Sequence, residues 1–238
     1  PATNFIDLDT ARTFVKTAEK LKKPLILPFA QSHRTAIPLE EAALVGKYFA
    51  EKSSMPVVLH LDHGEDIDFI EQAVKLGFSS VMMDASQDSL EENIRKTREV
   101  VKMAHEQGVV VEAEMGHVGS GVNYENHDQT DSIYTEVADA VRFVEATNVD
   151  SLAVSIGTAH GYYKGTPHIN FERLEEITSA LQIPLVLHGG SSSGDDNLAR
   201  CAQSGICKIN IFTDFISSAF STIRRTDAAC GNCQSFGQ

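Results

Sequence analysis

Residues 57–83 read VVLHLDHGEDIDFIEQAVKLGFSSVMM, from Val57 to Met83, and the reading of this run decides the fold. Val57 to Leu61 is a short apolar run of strand length. Ile67 to Leu76 carries its apolar residues three and four apart, the period of a helix with one buried face. Ser80 to Met83 is again strand-like. Strand, helix and strand in such short compass form the unit that links two neighbouring parallel strands.

Outward from this unit the alternation persists over nearly the whole chain. Further strands are expected at Ala2 to Ile6, Pro24 to Pro28, Val109 to Glu114, Ser151 to Ile156, Pro184 to Leu187 and Ile206 to Asn210. Helices are expected at Leu8 to Leu21, Leu39 to Glu51, Leu90 to Glu106, Val137 to Ala146, Phe171 to Leu181, Asp195 to Gln203 and Phe215 to Arg225. Eight such repeats predict a single-domain α/β protein, a (β/α)8 TIM barrel over residues 1–225, with a polar tail at 226–238. An open doubly wound sheet is the rival. It would place a glycine-rich phosphate turn after its first strand, where this chain has Asn4-Phe5-Ile6-Asp7. Two connections, Met115 to Tyr134 and Gly157 to Asn170, are long and follow strands, which marks them as binding loops.

Composition narrows the function. Of 238 residues 42% are hydrophobic, enough for one large core, and no apolar run reaches the roughly 20 residues that span a bilayer. Twenty basic against 33 acidic residues leave a net charge of −13, so nucleic acid and anionic membrane surfaces are poor partners. An anionic substrate needs locally focused positive charge. Cys201, Cys207, Cys230 and Cys233 crowd the C-terminal end, which is not a disulfide framework, and the lone Cys230-x-x-Cys233 lacks a second ligand pair. A reducing, cytoplasmic setting is expected, and no charged-then-apolar leader opens the chain at Pro1.

His-Gly occurs three times, at 63–64, 160–161 and 188–189, whereas 9 histidines and 16 glycines in 238 positions meet by chance about 0.6 times (9 × 16/238). Each copy lies at or just past the end of a predicted strand, so a barrel brings the three imidazoles to one rim. One such histidine could merely satisfy a strand-end hydrogen bond. Three with an open fourth position make a catalytic zinc site, each glycine letting backbone and substrate approach the metal. Asp62 puts a carboxylate beside it, placed either for proton exchange or to cap the next helix, for which Asp66 competes. Glu112 and Glu114 point to one side of their strand. Two inward carboxylates need partners: Glu112 is assigned to orient a metal-bound histidine, and Glu114 to touch the metal. Gly189 to Ser193 and Asn210 to Thr213 sit where barrels build phosphate sites from uncharged donors. Lys208, on a strand, shows no special neighbours, which disfavours Schiff-base chemistry.

Taken in order, Leu59 to Gly64, Glu112 to Gly116, Asp150 to Gly161, Leu187 to Ser191 and Lys208 to Thr213 resemble the class II, zinc-dependent ketose-bisphosphate aldolases. The resemblance implies reversible cleavage of fructose or tagatose 1,6-bisphosphate to dihydroxyacetone phosphate and glyceraldehyde 3-phosphate. It implies zinc on His63, His160 and His188, polarising the ketone, and Asp62 acting on the C4 hydroxyl. It places the triose phosphate against Gly161, Gly189, Ser191, Asn210 and Thr213, with sodium or potassium assisting, and Ser32 near the distal phosphate. A homodimer or homotetramer is expected. Three positions depart from the family pattern. Gly119-Ser120-Gly121-Val122-Asn123 lacks the mobile glutamate that exchanges the C3 proton, leaving Glu125 as the nearest substitute, with Asp128 and Asp131 as rivals. Ser192 replaces a usual glycine, and Phe212 stands where fructose-type members often have Asp. The alternatives are an epimerase-type metal enzyme on the same site, or a non-catalytic sugar-phosphate-binding barrel, which the missing glutamate favours.

Overall fold

The computed structural model describes residues 1–116, 134–160 and 167–230. Its order is α1 (Leu8–Leu21), β1 (Leu25–Ala30), α2 (Leu39–Lys52), β2 (Val57–Gly64), α3 (Ile67–Leu76), β3 (Ser80–Met83), α4 (Leu90–His105) and β4 (Val110–Met115). It continues through α5 (Val137–Thr147), β5 (Ser151–Val154), α6 (Phe171–Ala180), β6 (Leu185–Leu187), α7 (Asp195–Gln203), β7 (Ile206–Ile209) and α8 (Thr213–Cys230). Local chemistry sets the boundaries. Asp7 and Thr10 form a reciprocal capping box on α1, while Asp66, Ser89 and Asn170 each accept an orphan N–H at the start of α3, α4 and α6. Left-handed Lys22, Gly77 and Asn148 stop α1, α3 and α5. Helix α8 runs past Arg225, where the expected tail was to begin.

The seven strands form one sheet, all parallel and in sequence order from β1 to β7. The expected eighth strand, Ala2 to Ile6, does not form as a regular strand. Ala2 makes isolated parallel bridges to Ile26 of β1 and to Asn210 after β7, so both sheet edges meet the same segment. Proline explains the interruption. Ile26 donates its N–H to Pro1, Thr3 to Ile26 and Phe5 to Pro28, but the return bond from position 28 to residue 3 is lost because Pro28 has no N–H.

Alternation along each strand divides the sheet into two unlike faces. Leu59, Leu61, Val111 and Leu152 are fully or almost fully buried and join the apolar layer against the helices. The other face carries His60, Asp62, Glu112, Glu114 and Lys208, all buried. Buried charge of this kind is costly unless every member is paired, and the pairing described next is what makes it tolerable.

Candidate active site

Strand β2 continues through Asp62-His63-Gly64, further than its apolar run, and its register against β3 shifts between Leu61 and Gly64. His63 takes a left-handed backbone with φ 47°, a conformation that costs a non-glycine residue about 1 kcal/mol or more. The side chain repays that position. Its Nδ1 donates to Asp84 at 2.6 Å, just past β3, and its Nε2 lies 2.9 Å from Nδ1 of His188, just past β6. His160, six residues beyond β5, completes the group, with its ring centroid 5.0 Å from that of His63 and 5.9 Å from that of His188. The three imidazoles sit edge to face, and one ligand nitrogen from each lies within 4.8 Å of the others.

Glu112 is hydrogen-bonded to His188. Its Oε1 accepts from His188 Nε2 at 2.9 Å, and since a carboxylate only accepts, Nε2 carries the hydrogen and Nδ1 turns a lone pair toward His63. Lys208 is not the featureless strand lysine the sequence suggested. Its ammonium donates to both Glu112 oxygens, at 2.9 and 2.8 Å, and lies 3.3 Å from His60 Nε2. Burial works to raise the Glu112 pKa, but Lys208 and the His188 hydrogen bond overcome it and hold the carboxyl at about 2. Burial, reinforced by Lys208, lowers His60 to about 4.

Asp62 is buried and accepts from Asn4 Nδ2 at 2.8 Å and Asn210 Nδ2 at 3.0 Å. Burial opposes its ionisation, yet His63, Lys208 and His188 hold it well below the usual carboxylate range. The capping alternative is removed, because Asp66 caps α3. Glu114 is buried, with Oε2 3.8 Å from His188 Nδ1, and forms a second ligand-type group with His63 and Asp84.

These residues fit a divalent metal. Nε2 of His160 is buried with no hydrogen-bond partner among the described residues, an arrangement that a ligand bond satisfies and bare protein leaves costly. Burial, then the two neighbouring imidazoles, lowers His160 to about 4, keeping it in the neutral, ligating form. His63 goes the other way: against burial, Asp62, the Asp84 hydrogen bond and Glu114 raise it to about 10. A field that so favours a positive charge at that nitrogen also favours a metal cation.

The cleft above is about 680 Å³ and its lining includes Ser32, Asp62, His63, Glu114, His160, Gly189, Ser191, Asn210 and Thr213. Ser191 Oγ accepts from the N–H groups of Phe212 and Asp214 at 3.1 and 3.3 Å, leaving its own proton to donate. Asp214 binds the amide and hydroxyl of Ser192, at 2.9 Å each, and Ser192 adopts φ 59° where glycine was expected. Glu125, Gly161, Asp128, Asp131 and Cys233 lie outside the described residues. Two of the glycines that follow the histidines, Gly64 and Gly189, are confined by packing. A Cβ at Gly64 would stand 2.5 Å from the Met82 carbonyl, and one at Gly189, with φ +67°, 2.4 Å from that of Ala159.

Sequence reading missed Asp84, Asn4, His60 and Lys208. Asp84 had the same signal as Asp62, a carboxylate at the end of a barrel strand. Lys208 had another: an inward cation in the strand Ile206-Cys207-Lys208-Ile209 requires a buried anion.

Parallel α/β architecture with a histidine and carboxylate centre at the strand ends defines a metal-dependent class of enzyme. The family model described as class-II fructose-bisphosphate aldolase matches residues 1–235. The crystal structure of the YdjI aldolase from Escherichia coli K12 superposes with TM-score 0.86 at 34% identity, covering 99% of this chain and 81% of that one. Fructose-bisphosphate aldolase from Campylobacter jejuni gives TM-score 0.80 at 26% identity, over 96% of this chain and 75% of that one. The chain belongs to the class-II fructose-bisphosphate aldolase family and is a lyase. Among the described residues no helix is long and apolar enough to cross a membrane.

Proposed function

We propose that this aldolase cleaves a ketose 1,6-bisphosphate, fructose or tagatose, reversibly to dihydroxyacetone phosphate and glyceraldehyde 3-phosphate, with zinc on His63, His160 and His188. The observation that carries the reading is the convergence of three imidazoles, one with an orphaned buried nitrogen, beside an ionised and immobilised Asp62. A metal bound there supplies a Lewis acid for the substrate's ketone oxygen. Asp62 takes the C4 hydroxyl proton as the carbon–carbon bond breaks, and the amides of Asn4 and Asn210, one on each carboxylate oxygen, hold the orientation of the carboxylate. Lys208 and Glu112 hold the His188 ring in its ligating tautomer.

Glu114 serves as an alternative ligand in this reading. Ser191, Gly189, Asn210 and Thr213, with Gly161, take the triose phosphate beside a sodium or potassium ion; Ser32 serves the distal end, and Glu125 exchanges the C3 proton. The Ala2 bridges close the sheet as the eighth stave of a (β/α)8 barrel. A cytoplasmic homodimer or homotetramer is the matching setting. The rival reading, a sugar-phosphate-binding barrel without turnover, is favoured by Val122 at the glutamate position. Release of triose phosphate from fructose and tagatose bisphosphates, measured with and without chelator, separates the two. Metal-dependent release supports cleavage; tight binding with no release at saturating zinc overturns it.

A further inference from the structure

Beneath the floor of the cleft, the inward face of the sheet holds a second convergence of ligand-type side chains. His60 and Asp62 of β2 and Glu112 of β4 are all buried, and one ligand atom from each lies within 4.8 Å of the others. His60 Nε2 stands 3.9 Å from Asp62 Oδ1 and 3.8 Å from Glu112 Oε2. Of the three, only Asp62 also lines the cleft. Two carboxylates and an imidazole are a donor set for a divalent cation. Ligand atoms on a tetrahedral zinc sit about 3.3 Å apart, so a closing of about half an ångström would seat one.

The point these groups surround is filled by the buried side chain of Lys208, from β7. Its ammonium has three hydrogens and meets three acceptors: Glu112 Oε2 at 2.8 Å, Glu112 Oε1 at 2.9 Å and His60 Nε2 at 3.3 Å. Asp62 Oδ1, at 3.9 Å, completes the surround by charge alone. Because an ammonium only donates, His60 presents a lone pair at Nε2 and carries its hydrogen on Nδ1, which donates to Ser80 Oγ at 2.8 Å. An imidazole in that tautomer, held through its other nitrogen, is arranged as a metal ligand is. Two carboxylates against one ammonium leave negative charge over, which keeps the pocket attractive to a cation.

We propose that Lys208 is a resident cation: its ammonium occupies a latent metal site formed by His60, Asp62 and Glu112 and keeps divalent metal off these three side chains. The inference goes beyond the aldolase reading and needs none of its substrate assignments. Lys208 is a positioning residue. A metal in its place would draw on Asp62 Oδ1, the oxygen that accepts from Asn210, and so would compete for the carboxylate that faces the cleft.

The test measures zinc bound per chain, after loading with excess zinc and gel filtration, in the parent, Lys208→Ala and Lys208→Met, together with the denaturation midpoint as zinc is raised. Alanine removes the charge and opens room for an ion; methionine removes the charge and keeps the pocket filled. Lys208→Ala is expected to hold one zinc per chain more than the parent. Its midpoint, lowered by the unpaired carboxylates, should climb with zinc beyond the concentration that saturates the parent. Lys208→Met should be destabilised too, with the parent's zinc content and no such climb. If Lys208→Ala is unfolded without metal, excess zinc should restore the parent's circular dichroism. Equal zinc in the parent and Lys208→Ala, an extra zinc in Lys208→Met, or an alanine variant that stays unfolded at every zinc concentration overturns the proposal and leaves Lys208 an ion-pair partner only. Counting against the parent keeps this outcome separate from the aldolase reading, which triose-phosphate release decides.

Discussion

At the scale of single residues, the centre separates groups that do chemistry from groups that hold them. In the proposed reaction Asp62 does both, since its carboxylate is also the acceptor for Asn4 and Asn210. Asp62→Ala should therefore reduce triose-phosphate release by about 10²-fold or more, the usual scale for a positioned acid or base. It should also lower stability by about 1–3 kcal/mol, because two buried amide donors lose their acceptor. Asp62→Asn fills the same space and keeps one of the two acceptor oxygens, so less of its loss is structural; turnover near the parent rate in that variant would leave Asp62 a structural residue. His160→Ala removes the nitrogen that has no other partner among the described residues. Metal content after gel filtration should drop below stoichiometric, and the rise in unfolding temperature that zinc gives the parent should shrink or vanish. Tight stoichiometric zinc in this variant would reassign the ligands, with His63, Asp84 and Glu114, or His60, Asp62 and Glu112, as the remaining groups among the described residues. The histidines were legible because a dipeptide repeated at strand ends. Lys208 and His60 were not, because their partner Glu112 is distant in sequence and only the sheet's inward face joins them.

At the scale of elements, the strand and helix order was readable from period alone, and the misreading fell where one missing N–H decides the outcome. Pro28 keeps strand-like neighbours and buried packing, so no hydrophobic pattern reveals the broken ladder beside it. The extension of β2 to Gly64 was equally hidden, because His63 interrupts the register in order to face the centre. Helix α2 shows how closely the layers meet: a Cβ on Gly46 would lie 2.3 Å from Leu59 Cδ1, a side chain buried on β2. Alanine at position 46 gains up to about 1 kcal/mol in helix propensity. Overpacking costs about 1–3 kcal/mol and should win. Gly46→Ala is thus expected to lower the denaturation midpoint in the parent. In a Leu59→Ala background, where room has been made, the same change should be neutral or stabilising. Equal effects in both backgrounds would mean that the helix shifts freely over the sheet.

At the scale of the whole molecule, a charged inner face makes stability depend on pH in a definite direction. On acidification the unfolded chain takes up a proton on an ordinary histidine near pH 6.5, whereas folded His60 refuses it until about pH 4. Stability therefore falls between those values. Glu112 extends the decline: its unfolded carboxyl protonates near pH 4.5 and its folded one only near pH 2. Chemical denaturation from pH 8 to pH 3 should show a falling midpoint below about pH 6.5, the ordinary histidine value. His60→Asn should flatten the upper part of that fall, and an unchanged slope would place the sensitive group elsewhere. The contact of Ala2 with both Ile26 and Asn210 has a consequence in time. On a ribosome adding about 5–20 residues per second, the N-terminal segment waits roughly 10 to 40 seconds before residues 206–210 exist to meet it. Through that interval the far side of the segment and the growing front of the sheet are both unpaired edges, open to other nascent chains. The aggregation hazard belongs to the unfinished polypeptide, and docking of the final strand removes it.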